Sequence, residues 1–199
     1  MRRLYNIHHN LKHDCLIKEP VIVTVRNFHE KAYEYFNEEF DKAHQTGQPF
    51  IPVVIDSYGG ETYSLMGMIG VIESSKIPVY TILLSKAMSC GAILFSFGKE
   101  RFMAPAATIM IHDVSSLTYG KIEELKADAK EADRINNIVY DMFDRNCDQP
   151  KGFFKDIVHE KGHADWYINA KEALGFNLAT KIGIPSFDIN VKMEYRLSL

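Results

Sequence analysis

Two glycines, Gly59 and Gly60, follow an apolar run that is typical of a buried strand. Glycine permits positive φ angles and leaves the backbone amide unshielded, so an N–H group at this position can point at a ligand oxygen. Such an amide could stabilise the oxyanion of an acyl-transfer reaction. By itself, however, the pair is more typical of an ordinary strand-to-helix turn.

Ser89 lies in a segment of small residues, 87–92, between an apolar strand and an apolar helix. A serine at the start of a helix has backbone donors and the positive end of the helix dipole nearby, and both favour an oxyanion. The same position also suits an N-cap serine, which is a common structural role. The hydrolase pattern G-x-S-x-G is not met because residue 87 is alanine. The serine alone therefore favours the cap.

His112 directly follows the apolar run 108–111. A histidine just beyond the end of a strand can face a cleft and act as a general base. The chain has eight histidines, so a hydrogen-bonded structural histidine is the simpler interpretation until other residues point to the same cleft.

Residues 159–163 match the short pattern H-E-x-x-H, which places two histidines on one helix face for zinc. The setting is poor because Gly162 weakens a helix and Lys161 brings a cation close to the metal. Trp166 also breaks the extended form of the pattern. The sequence therefore predicts neither a bound metal nor a cofactor.

Alternating strands and helices must position these residues. Apolar runs followed by helical periods predict the order β, α, β, α, β, which favours parallel strands joined by helical crossovers. The predicted strands are 20–25, 50–55, 78–84, 101–104 and 108–111, and the predicted helices are 28–43 with Asn27 as a candidate cap, 62–74, 89–98, 121–146, 153–161 and 170–181.

The composition excludes several classes of protein. A chain of 199 residues suits one domain with its own core, here predicted at 20–199 after an irregular arm at 1–19. The net charge of −3 provides no general attraction to nucleic acid or anionic membranes. The apolar runs are too short to cross a bilayer.

The cysteines and the first residues of the chain bear on its location. Cys15, Cys90 and Cys147 are an odd, sparse set rather than a disulfide framework, which favours a reducing compartment. No apolar segment of the secretory type follows the two arginines near the start of the chain. The predicted location is therefore cytoplasmic.

Segments 55–60, 87–92 and 109–112 together resemble the proteolytic subunit of the Clp proteases (ClpP). In that family, the oxyanion-hole glycine, the nucleophilic serine and the general base occupy the positions of Gly60, Ser89 and His112. Segment 165–173 is similar to the stretch that carries the catalytic acid, which would be Asp165. The resemblance covers roughly residues 20 to 185.

The resemblance implies a function and a fold. It implies an ATP-dependent serine endopeptidase with a Ser89–His112–Asp165 triad, in which the N–H groups of Gly60 and Cys90 hold the oxyanion. The expected fold is an α/β, ClpP/crotonase-like spiral of ββα units with a protruding handle helix at 121–146. The expected partners are unfolded polypeptide substrates, further copies of the chain in a heptameric ring, and an AAA+ unfoldase. Whether two rings stack into a double ring is left undecided by the resemblance.

The chain departs from the family pattern at several positions. Tyr58 replaces a proline before the glycines, and Asp113-Val114 replaces Gln-Pro after the histidine; both changes affect the substrate groove. Ala164 stands where the family has an arginine that pairs across the contact between rings. The spacing from the base to the acid is also longer, and the arm differs from the family's axial loop.

Three other functions remain as alternatives. A Ser–Lys peptidase would use Lys86, although that lysine precedes the serine instead of following it. A crotonase-like acyl-CoA enzyme would share the spiral fold and the oxyanion hole, and would recruit carboxylates such as Glu61 and Asp113. An H-E-x-x-H zinc peptidase is the third. A non-catalytic ring subunit is disfavoured because all three residues of the triad are present.

Overall fold

The computed structural model of the chain describes residues 5–6, 19–115 and 117–188. Its strands are β1 (Tyr5–Asn6), β2 (Val23–Val25), β3 (Ile51–Ser57), β4 (Val79–Met88), β5 (Glu100–Met103), β6 (Thr108–Ile111), β7 (Trp166–Asn169), β8 (Lys181–Ile182) and β9 (Phe187–Asp188). Its helices are α1 (Glu30–Thr46), α2 (Thr62–Glu73), α3 (Cys90–Ser96), α4 (Ile122–Asn146), α5 (Phe153–Glu160) and α6 (Ala170–Gly175).

A mainly parallel sheet in the order β2-β3-β4-β5-β8 forms the centre of the molecule. Strand β3 is buried along almost its whole length, as expected for a parallel strand covered on both faces. Strand β4 pairs with β5 through residues 80–83 and then with β6 through residues 86–88. The predicted α/β architecture with parallel strands and helical crossovers is therefore confirmed.

Most of the predicted arm at 1–19 lies outside the described residues. Tyr5–Asn6 is the described part before residue 19, and β1 pairs in parallel with β9 to form a second, two-stranded sheet. This pairing joins a segment near the start of the chain to one near its end.

Aromatic side chains from the helices fill the core beside the sheet. Each fully buried phenylalanine stabilises the fold by about 1.5–3 kcal/mol relative to an exposed one. The phenylalanines with almost no exposed surface are Phe36, Phe40, Phe95, Phe143 and Phe154.

Helix α1 begins two residues later than predicted. Its N-cap is His29, whose side chain accepts a hydrogen bond from the first turn, so the prediction of Asn27 as the cap is wrong. Phe28 instead forms a parallel bridge with Gly60, and the Glu61 N–H donates to the Phe28 carbonyl at 2.9 Å. The chain before α1 therefore holds the glycine turn in place.

Helix α6 is shorter than the predicted helix 170–181 because Asn177 has a left-handed φ of 56°. The buried guanidinium group of Arg101 donates to the carbonyl oxygens of Leu178 and Asn177 at 3.1 and 2.7 Å. These long-range bonds fix the chain as an irregular turn that leads into β8.

Helix α4 has the predicted extent and is buried in its second half. Its buried face includes Tyr140, Phe143 and Asp144, while Ile122 and Leu125 in its first turns are exposed. Among the described residues, no helix is long and apolar enough to cross a membrane.

Candidate active site

Ser89 occupies the turn between β4 and α3 with φ 53° and ψ −122°. A positive φ at a non-glycine residue is strained and persists where the surroundings enforce it. Here the Ser89 N–H donates to the Met110 carbonyl of β6 at 2.9 Å, and the Ser89 carbonyl accepts from Ala92 at 2.9 Å. The hydroxyl group makes no cap hydrogen bond to α3. Ser89 therefore stands before α3 without capping the helix through its side chain, which is the role that the residue type alone favours.

The glycine turn packs directly against Ser89. Gly59 and Gly60 have φ angles of 108° and 150°. A Cβ atom on Gly59 would lie 2.8 Å from the Ser89 Cβ, and one on Gly60 would collide with the Phe28 carbonyl oxygen. Both positions thus require glycine for space as well as for φ, and a plain turn would not explain the close approach to Ser89.

Two backbone amides are available beside Ser89. Within the described part of the chain, no acceptor is assigned to the Gly60 N–H, whereas the next amide, that of Glu61, binds the Phe28 carbonyl. The Cys90 N–H belongs to the first turn of α3, where a helix provides no partner of its own. Gly60 and Cys90 line the same cavity, which is the placement that an oxyanion hole requires.

The Cys90 thiol links the two sides of this cavity. Its Sγ donates to the Gly60 carbonyl oxygen at 3.2 Å, and the side chain is buried. Burial raises the pKa of the Cys90 thiol, in spite of opposing hydrogen bonds, so the group stays protonated as a donor. Sequence reasoning assigned only the amide of Cys90 and missed this contact. In the sequence, this contact could have been suspected only from the position of Cys90, whose thiol is a hydrogen-bond donor directly after Ser89.

His112 and Asp165 meet at the end of an antiparallel strand pair. Ile111 of β6 lies opposite Trp166 of β7, so the next residue of one strand faces the preceding residue of the other. His112 Nδ1 is 3.9 Å from Asp165 Oδ1, which is longer than a hydrogen bond. The His112 side chain is 21% exposed and that of Asp165 is 50% exposed.

Ser89 and His112 line one cavity of about 170 Å³. No hydrogen bond between their side chains is found among the described residues. In free enzymes such bonds are often long and shorten when substrate binds. The residues lining the cavity are Gly60, Glu61, Thr62, Ser89, Cys90, Ile93, Ile111, His112, Val114, Ser115, Val139 and Phe143.

Asp113 is engaged in a separate group of side chains. Its carboxylate accepts from Tyr140 Oη at 2.8 Å and lies 2.6 Å from His163 Nδ1. Burial alone would raise the pKa of Asp113, but the bonds from His163 and Tyr140 and the nearby histidine charges hold it below its usual value. The carboxylate does not line the cavity, so it is poorly placed to act there.

Lys86 is likewise occupied by other contacts. Its Nζ forms a 2.6 Å ion pair with Asp56 and lies 4.5 Å from the centre of the Tyr58 ring. It does not line the cavity of Ser89. The Ser–Lys alternative therefore has no geometric support.

The H-E-x-x-H residues do not share one helix. Helix α5 ends at Glu160, and Gly162 and His163 have left-handed φ angles of 71° and 59°. The sequence predicts that Gly162 weakens a helix, and in the structure the helix ends before this residue. The rings of His159 and His163 nevertheless lie 4.2 Å apart, because the turn folds back on the helix.

Comparison with known proteins identifies the family of the chain. The protein-family model for Clp protease matches residues 8–185. The chain therefore belongs to the Clp protease family, and the resemblance seen in the sequence is confirmed. A curated relative from Deinococcus radiodurans, named ATP-dependent Clp protease proteolytic subunit, is 28% identical over 141 residues, which are 69% of this chain and 67% of the relative. Both findings support a peptidase of the ClpP type.

Proposed function

We propose that the chain is a Clp-type serine endopeptidase with Ser89 as nucleophile, His112 as general base and Asp165 as the acid that orients the histidine. The observation that carries the proposal is the strained Ser89, whose hydroxyl is not used as a cap and which faces the same cavity as His112. Family membership supports the peptidase activity, and the geometry supports these residues as its source.

The roles follow from the chemistry of the groups. Ser89 Oγ attacks the scissile carbonyl while His112 takes its proton and later passes it to the leaving amine. The N–H groups of Gly60 and Cys90 hold the oxyanion, and loss of one such donor costs at least about 100-fold in rate. For Asp165 to hold the imidazole, the present 3.9 Å separation must shorten to a hydrogen bond in the working enzyme.

The assembly is proposed from the family. Residues 20–199 form one peptidase domain whose ββα units build a spiral, and α4 is the handle helix. The chains form a heptameric ring that encloses unfolded polypeptides in the cytoplasm, with an AAA+ unfoldase as partner. Ala164 lacks the arginine side chain that pairs two rings in the family, so the proposal does not specify a double ring. The exposed Ile122 and Leu125 on α4 supply apolar surface for a contact between copies.

A covalent active-site probe tests the catalytic assignment. A fluorophosphonate should label Ser89, and Ser89→Ala should abolish both labelling and peptide cleavage. Ser85→Ala is a matched control, because this exposed serine lies on β4, the strand that leads to Ser89, and its loss should leave both unchanged. Cleavage that persists in Ser89→Ala and is blocked by a chelator would instead support the H-E-x-x-H alternative.

A further inference from the structure

Three side chains from separate segments converge beside the proposed active site. Asp113 lies in the loop after β6, His159 in the last turn of α5, and His163 in the turn that follows. One ligand atom from each lies within 4.8 Å of the others. We propose that these three residues form a binding site for Zn²⁺.

The turn after α5 creates the histidine pair. The Gly162 N–H donates to the His159 carbonyl at 2.9 Å, and the His163 N–H donates to the Val158 carbonyl at 3.0 Å. These bonds fold the chain back so that the two imidazole rings lie 4.2 Å apart. The backbone, and not a continuous helix face, therefore sets the spacing of the two nitrogen ligands.

The carboxylate is held ready by its neighbours. Tyr140, which is 2% exposed, donates to Asp113 Oδ1 at 2.8 Å and leaves Oδ2 directed at His163. Hydrogen bonds of this kind fix the orientation of a metal ligand and raise its affinity for metal. Asp113 Oδ2 thus lies 2.6 Å from His163 Nδ1, and zinc binding would replace this hydrogen bond with bonds to the metal.

Lys161 is the cation closest in sequence to the three ligands. Lys161, which lies between the two histidines in the sequence, places its Nζ 5.9 Å from the centre of the Trp166 ring. This cation–π contact engages the ammonium group but leaves its positive charge in place, so the Asp113 carboxylate has to offset that charge for the site to hold a cation.

The ligand types select the metal. Two imidazoles and one carboxylate suit zinc, whereas magnesium and calcium prefer oxygen ligands alone. Zinc with bonds of about 2.0–2.2 Å needs ligand atoms roughly 3.3 Å apart in a tetrahedron. Ligand atoms near the 4.8 Å limit would approach by about 1.5 Å, whereas His163 Nδ1 and Asp113 Oδ2, now 2.6 Å apart, would separate by about 0.7 Å if both bind the metal. The exposed His159 and His163 rings permit both changes. Water would complete the coordination.

This zinc site differs from an H-E-x-x-H peptidase centre. Glu160 is not part of the cluster, and the helix that would carry the motif ends at that residue. The ion would instead join the loop that carries His112 to the turn that leads into Asp165. Zinc binding, which does not depend on the proposed peptidase activity, should therefore stabilise the folded chain.

Zinc titration of the 199-residue chain against a chromogenic chelator tests the proposal. The parent should bind one zinc ion in this site and should melt at a higher temperature with zinc than without it. The double substitution His159→Asn/His163→Asn should abolish both effects. The matched control is His9→Asn/His13→Asn, which removes a histidine pair of the same spacing from outside the described residues and should change neither.

Additional single variants allow the proposal to be tested even if the double variant folds poorly. Asp113→Asn should weaken zinc binding at least about tenfold, and Tyr140→Phe should weaken it about tenfold through loss of orientation. His159→Asn alone removes an exposed ligand, so its melting temperature without metal should match that of the parent. Unchanged zinc affinity in the His159/His163 variants, or an equal loss in the His9/His13 control, would overturn the proposal.

Discussion

At the scale of single residues, the position of Ser89 depends on its neighbours more than on its own preferences. Its backbone strain costs about 1–3 kcal/mol, and the strand bond to Met110 and the close packing of Gly59 enforce it. The hydroxyl is thereby kept away from α3 and toward the cavity. Changes to residues that touch Ser89 should therefore affect activity even when they carry no reactive group.

Gly59→Ala tests this dependence. The new methyl group would lie 2.8 Å from the Ser89 Cβ at a φ of 108°, so we expect a loss of about 1–3 kcal/mol in stability and a large loss of peptidase rate. Gly70→Ala in α2 is the control: a Cβ there meets open space, and the helix should gain about 0.5–1 kcal/mol. Urea unfolding and peptide cleavage measure both. A Gly59→Ala enzyme with full activity would contradict the strained-turn account.

The two described cysteines should be unreactive in the folded chain. Burial raises the pKa of Cys90 and raises that of Cys147 to about 12, so both remain thiols at neutral pH. In a Cys15→Ser variant, we expect no reaction with a disulfide reagent at pH 8 until denaturant is added, after which both thiols react. Rapid labelling of the native variant would show that one of these sites opens.

At the scale of elements, the start of α5 depends on a buried carboxylate. Asp144 on α4 accepts hydrogen bonds from the Gly152 and Phe154 amides at 2.6 and 3.1 Å and is 4% exposed. These amides belong to the first turn, where a helix offers no internal acceptor. Helix α4 thus supplies the cap that α5 lacks.

Asp144→Ala should destabilise the fold by about 1–3 kcal/mol, because it leaves buried amides without an acceptor. Asp141→Ala is the matched control on the same helix. Its carboxylate is exposed and forms only a 3.9 Å pair with Lys151, so its loss should cost less than about 1 kcal/mol. Equal midpoints of urea unfolding for the two variants would be evidence against the capping role.

At the scale of the whole molecule, much of the fold could be predicted from alternating apolar runs and helical periods. The order of strands, the parallel sheet and the extent of α4 follow from these local patterns. The proximity of the candidate site residues could be expected only through resemblance, since each residue type alone favours a structural role. Their catalytic roles stay predictions.

The features that could not be predicted depend on distant contacts. The turn after α6 is fixed by Arg101, whose bonds span more than 70 positions of the chain. Strand β7 exists because it pairs with β6, and its four residues carry too short a pattern to identify it alone. Likewise, Asp113 and the two histidines are brought together by tertiary structure.

Strand β4 pairs first with β5 and then with β6, and this arrangement bears on how the substrate specificity could change. Its last residues pair with β6, and the Ser89 amide extends that pairing to the Met110 carbonyl. Main-chain bonds thus set the separation of the nucleophile from the segment that leads to His112. Substitutions of Val114 and Ser115, which line the cavity after His112, can therefore change which peptides fit without changing the spacing of the reacting groups.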